Sequence, residues 1–141
     1  MTDRLNQAKG ANALGFDHSY ARLGPAFSTP QALDPVSDPR LLLWNQNLAD
    51  TLGWSGDPQS DAAQLAALAG NTPLRDSHPI ATVYAGHQFG QYNPQLGDGR
   101  ATLLGEWLTP SGERFDIQLK GAGPTAYSRG GDGRSPIVPV I

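Results

Sequence analysis

The chain carries eight arginines but only two lysines, and one of those two, Lys120, closes an alternating run directly before Gly121-Ala122-Gly123. Upstream, Arg100 stands where a glycine-rich stretch from Gly86 to Gly99 gives way to an apolar run. Glycine lets backbone N–H groups approach anionic oxygens closely, a lysine one strand away supplies a point charge, and an arginine fork grips two oxygens at once. That combination suits a triphosphate. The plainer alternatives are a glycine-rich surface loop beside a solvated lysine, and an Arg100 paired with Asp98 or Glu106. Between Gly97 and Arg134 five basic residues face five acidic ones, which allows a focused anion pocket but not a basic patch.

Other chemistries find less support. No GxxxxGK[ST] phosphate loop is present. Gly121-Ala122-Gly123-Pro124-Thr125-Ala126 fits a dinucleotide pattern, but it has Pro124 where a helix should open. His18, His78 and His87 have no i,i+4 partner and no cysteine to join them, so no metal site is expected from this chain. Glu106 and Asp116 could face each other across a hairpin as a glycosidase requires, although opposed strand charges are more often solvated. A carbohydrate-binding surface built from Trp44, Trp54 and Trp107 would need them on one strand face, and two of them fall in or beside an expected helix.

The elements that must position these residues follow from period and punctuation. Residues 1–37, broken by Pro25, Pro30 and Pro35, read as an extended arm whose apolar beads Phe16, Tyr20, Leu23 and Phe27 need a surface to dock on. Asp38-Pro39 supplies an N-cap and a first-turn proline, and Leu41, Trp44, Leu48 and Leu52 recur at helical spacing up to Gly53. A shorter alanine-rich helix is expected from about Asp61 to Leu68, closed by Gly70-Asn71. Ile80 to Tyr84 reads as a strand, followed by a glycine-rich loop; eleven of the seventeen glycines lie between Gly86 and Gly133. Ala101–Leu108 and Glu113–Lys120, joined by Thr109-Pro110-Ser111-Gly112, read as a β-hairpin. Within its second strand Phe115, Ile117 and Leu119 share one face, and Arg114, Asp116, Gln118 and Lys120 the other.

At 141 residues the chain is one domain or part of one. It has no cysteine, which excludes disulfides and thiolate zinc sites and fits a reducing compartment. Met1 to Gly15 hold no apolar run of signal or transmembrane type, so a cytoplasmic location is expected. The net charge of −3 and pI near 5.4 supply no long-range field for nucleic acid or an anionic membrane, and neither partner is expected.

Four phrases occur in order: Phe16-Asp17-His18-Ser19-Tyr20-Ala21-Arg22-Leu23, Tyr84-Ala85-Gly86-His87-Gln88-Phe89-Gly90, Pro94-Gln95-Leu96-Gly97-Asp98-Gly99-Arg100-Ala101 and Gln118-Leu119-Lys120-Gly121-Ala122-Gly123-Pro124. Together they closely resemble the amino-terminal part of the selenoprotein O (SelO, YdiU) family, pseudokinase-fold enzymes that transfer AMP from ATP to protein hydroxyls. The resemblance runs from about Phe16 to Arg134. His18 stands where the family usually has asparagine, and Leu23-Gly24-Pro25 varies its proline-containing turn. Carried over by position, it implies ATP contacts from Gly97, Gly99, Arg100, Lys120, Asp132 and Gly133, with Asp132 named by the resemblance alone. It also implies Mg²⁺ (or Mn²⁺) with the ATP, held by residues that this chain lacks, and a catalytic base beyond Ile141.

The resulting expectation is an α+β fold: an incomplete protein-kinase-like (pseudokinase) amino-terminal lobe, with an arm over 1–37 and a truncated nucleotide-binding lobe over 38–141. The expected function is that of a protein adenylyltransferase acting on Ser, Thr or Tyr hydroxyls, here as a fragment inactive alone. The alternative is a non-catalytic remnant that binds nucleotide or docks on a partner.

Overall fold

The computed structural model describes residues 15–134. Residues 1–14 of the expected arm, and the tail from Ser135 whose Pro139 would oppose a helix, lie outside them. The framework is the expected hairpin. Gly112 N–H donates to the Thr109 carbonyl at 2.9 Å and Glu113 N–H to Thr109 Oγ1 at 3.0 Å, closing a turn in which Gly112 has φ 88°. The flanking strands are β5 (Ala101–Leu108) and β6 (Arg114–Lys120), antiparallel from Ala101↔Lys120 to Leu108↔Arg114, with a register shift between Leu103 and Gly105. Burial alternates along β6 as its sequence period requires.

The stretch after Tyr84 is where the structure departs from a loop. β3 (Ile80–Gln88) continues through it and pairs with β4 (Gln91–Gly97) in a second hairpin. Its two-residue turn, Phe89-Gly90, has φ 53° and 76°, the left-handed pair whose twist matches the strands. Phenylalanine does not announce such a turn, and the polar residues and Pro94 of β4 obscured its strand character. Pro94 is tolerated because β4 lies at an edge, paired with β3 alone.

The part of the arm within the described residues joins the sheet. β1 (Phe16–Asp17) pairs with the end of β5 through Phe16↔Trp107 and Asp17↔Glu106, and β2 (Ser28–Pro30) pairs with the start of β3. A 3₁₀ turn, Ala21–Leu23, lies between them. All six strands form one antiparallel sheet, β1-β5-β3-β2, with β4 added on β3 and β6 on β5.

Two short helices cover one face. α1 (Gln46–Leu52) starts later than expected: Asn45, not Asp38, is its N-cap, accepting from Leu48 N–H at 3.0 Å. Asp38 cannot serve, because its φ of 50° lies outside the extended region a cap needs and its carboxylate takes the Arg40 guanidinium at 2.8 Å. Leu41 to Trp44 are therefore non-helical. α2 (Ala62–Leu68) follows the sequence closely, with Asp61 accepting from Ala63 and Gln64 N–H and Gly70 at φ 83° beyond its end. Leu52, Ala67, Leu74, Leu104 and Trp107 form the core between helices and sheet, and Phe115, Ile117 and Leu119 pack against it. The α+β expectation thus holds.

Candidate functional site: a cleft between two glycine turns

An open cleft of about 380 Å³ lies where the end of β4 meets the segment after β6, a size within the usual range of ligand pockets. Gly97, Gly99 and Arg100 form one wall. The other is formed by Tyr127, Ser128 and Arg129 and by residues 131–134.

Both walls depend on close backbone approach. A Cβ on Gly97 would overlap the Tyr127 ring, and one on Gly133 would overlap the Gly123 carbonyl. Gly133 also has φ 68°, and Arg129 and Gly130 are consecutive left-handed residues at φ 50° and 85°. A non-glycine residue held there costs free energy, a pattern that concentrates at functional turns. Gly121 ties the end of β6 to both walls: its N–H donates to the Arg100 carbonyl at 2.7 Å, and its carbonyl accepts from Arg134 at 3.4 Å.

Three arginines, Arg100, Arg129 and Arg134, line the cleft with one acidic residue, Asp132, whose carboxylate accepts the Arg134 N–H at 2.9 Å. Among the described residues no hydrogen bond or ion pair engages the side chains of Arg100, Arg129 or Lys120. Neither carboxylate considered for Arg100 takes it. Asp98 accepts from Thr82 Oγ1 at 2.7 Å and Tyr84 Oη at 3.3 Å. Burial, reinforced by that carboxylate, raises the Tyr84 pKa above its usual value. Glu106 accepts from Ser19 Oγ and from Tyr20 N–H at 2.8 Å. Exposed, unpaired cations beside backbone turns have the chemistry that suits a polyanion.

Five of the six residues singled out in the sequence, Gly97, Gly99, Arg100, Asp132 and Gly133, come together here. Lys120 does not line the cleft. It ends β6 on the exposed face, opposite Ala101 and one residue before Gly121. Sequence reading did not find Tyr127, Ser128, Arg129 or Arg134 as site residues; of these only Arg134 carries a local signal, as the last residue of the Gly-Asp-Gly-Arg phrase that occurs at 97–100 and again at 131–134.

Elsewhere, Glu106 and Asp116 are opposite in register, but Glu106 is 4% exposed and its partners come from Ser19 and Tyr20, on the other side of β5 from β6. His18 and His78 stack at 4.3 Å, a pairing invisible in sequence spacing. Trp107 is buried in the core, so the three tryptophans share no open face. Among the described residues no group of three His, Cys, Asp or Glu could hold a metal ion; Asp132 alone does not make a Mg²⁺ site.

The sequence that builds this cleft and its α+β frame has known relatives. The family model for protein adenylyltransferase SelO matches residues 11–138, and the chain belongs to that family. It is 53% identical over 130 residues to the protein nucleotidyltransferase YdiU of Maridesulfovibrio salexigens, covering 92% of this chain and 26% of that protein. It is 55% identical over 129 residues to the same-named protein of Ruegeria pomeroyi, covering 92% and 27%. The corresponding Bacillus cereus protein is 52% identical over 125 residues, covering 89% and 25%. The chain thus spans about a quarter of the length of the curated relatives it matches. No helix among the described residues is long and apolar enough to cross a membrane.

Proposed function

We propose that this chain is the phosphate-holding part of a kinase-like protein adenylyltransferase, which transfers AMP from ATP to Ser, Thr or Tyr hydroxyls of proteins. The observation that carries the reading is the cleft itself: two glycine turns facing each other, lined by three arginines and one acidic residue, inside the segment matched by the family. Gly97 and Gly99 let ATP phosphates lie against backbone, and Arg100 grips them with its free fork. Asp132 and Gly133 shape the opposite wall. Lys120 reaches the phosphates from the sheet edge when nucleotide is present, its side chain being exposed and unpaired without it.

In such a transfer the acceptor oxygen bonds to the α-phosphorus, the bond from that phosphorus to the bridging oxygen breaks, pyrophosphate leaves, and the hydroxyl proton passes to a base. Holding the phosphates and neutralising their charge is the larger share of that catalysis. Among the described residues the cleft's one carboxylate is Asp132, whose Oδ1 accepts the Arg134 N–H, and we place the base outside the cleft. On its own the chain therefore binds ATP without turnover, in a soluble, cytoplasmic setting.

Incubation with ATP labelled in the α-phosphate, Mg²⁺ or Mn²⁺, and a generic protein acceptor tests this. Label should be retained, displaced by unlabelled ATP and absent from the acceptor. Label on the acceptor contradicts the lack of turnover, and absence of retained label contradicts nucleotide binding.

A further inference from the structure

Among the described residues no backbone–backbone hydrogen bond joins the Gly97–Arg100 turn to residues 125–134, although the two face each other as walls of one cleft. Side-chain hydroxyls make the connection. Ser128 Oγ donates to the Gly99 carbonyl at 2.5 Å and accepts the Thr125 N–H at 2.7 Å. Thr125 Oγ1 donates to the Asp98 carbonyl at 2.5 Å and accepts the Tyr127 N–H at 3.1 Å. The Tyr127 ring lies on Gly97, and its hydroxyl meets Thr29 Oγ1 of β2 at 2.7 Å.

We propose that Ser128, with Thr125, is a positioning residue: the two hydroxyls clasp the glycine turns together and fix the spacing of the cleft's walls. A hydroxyl has one proton, and each of these protons is given to a carbonyl of the first turn. Ser128 lines the cleft yet has no proton left for a phosphate oxygen, so it acts on a ligand through the turns it joins. The fit between walls is close. A Cβ on Gly99 would stand 3.3 Å from the Ser128 Cα and 3.2 Å from the Tyr127 carbonyl oxygen. Preorganised backbone donors lose less freedom when an anion arrives, so loosening the clasp weakens binding without removing any ligand contact.

This inference rests on the nucleotide reading for its ligand, but the clasp itself is measurable without one. The experiment compares the 141-residue chain with Ser128→Ala and Ser128→Thr by peptide-level hydrogen–deuterium exchange, thermal melting and ATP titration. Ser128→Ala should melt close to the parent, exchange faster in both 97–100 and 128–133 with the β5–β6 ladder unchanged, and bind ATP about five- to tenfold more weakly. Ser128→Thr, which keeps the hydroxyl, should restore exchange and affinity. Unchanged exchange in the two turns, faster exchange throughout the sheet, or failure of threonine to rescue overturns the clasp. If the parent binds no ATP, the nucleotide reading falls and the exchange pattern alone decides the clasp.

Discussion

The Trp107 indole donates its Nε1–H to the Leu52 carbonyl at 2.5 Å, so a core side chain of β5 satisfies a backbone acceptor at the end of α1. Helix ends leave their last carbonyls without intrahelical partners, and this one is buried. Trp107→Phe keeps much of the apolar bulk but strands the carbonyl. It should cost about 1–3 kcal/mol, read as a lower midpoint in urea with an unchanged slope. A midpoint equal to the parent's would show that water replaces the indole.

Gly97→Ala drives a methyl group into the Tyr127 ring. We expect about 1–3 kcal/mol of destabilisation from overpacking. Combining it with Tyr127→Ala should recover part of that cost, giving a favourable coupling energy in a double-mutant cycle. Strict additivity would mean that the ring moves aside freely.

How much of this was legible in the sequence depends on whether the signal was local. The β5–β6 hairpin was, because Thr109-Pro110-Ser111-Gly112 and the alternation from Phe115 to Leu119 each determine their own conformation. So was α2, whose Asp61 cap is its own first neighbour. The onset of α1 was not: Asp38-Pro39 looks like a cap, but Arg40 draws the Asp38 carboxylate away and the backbone takes a positive φ. At the site, glycine and arginine spacing marked Gly97 to Arg100. The opposite wall is assembled by the Thr125 and Ser128 hydroxyls acting across the fold, which no local pattern encodes.

Asp17 is gripped by Arg22 at 2.8 Å and Arg114 at 2.7 Å, and these hydrogen bonds, Arg22 first, hold its carboxyl well below the usual range. A carboxyl depressed in the folded state adds stability above its unfolded pKa, near 4, which is lost as pH falls through the folded value. Because both arginines are largely exposed, the contribution is small, on the order of 1 kcal/mol. Asp17→Asn should lower stability at pH 7 and flatten the decline below pH 4. Parallel acid profiles for parent and variant would contradict this.

Glu106 is buried with two donors on Oε1 and none on Oε2. Glu106→Ala would leave the Ser19 hydroxyl and Tyr20 N–H without their acceptor and should cost about 2–3 kcal/mol, while Glu106→Gln keeps an acceptor and should cost less than about 1 kcal/mol. Thermal melts of the two variants decide it; equal losses would mean that the carboxylate's charge, and not its acceptor oxygen, holds the 19–20 turn.

The central claim is that the cleft recognises the phosphates of a nucleotide. Calorimetric titration of the chain with ATP and with adenosine, repeated with Arg100→Ala, tests it most directly. We predict that ATP binds and adenosine does not bind measurably, that added salt weakens the ATP interaction, and that Arg100→Ala lowers ATP affinity at least about tenfold. Equal binding of ATP and adenosine, or an Arg100→Ala chain that binds ATP as the parent does, would contradict it.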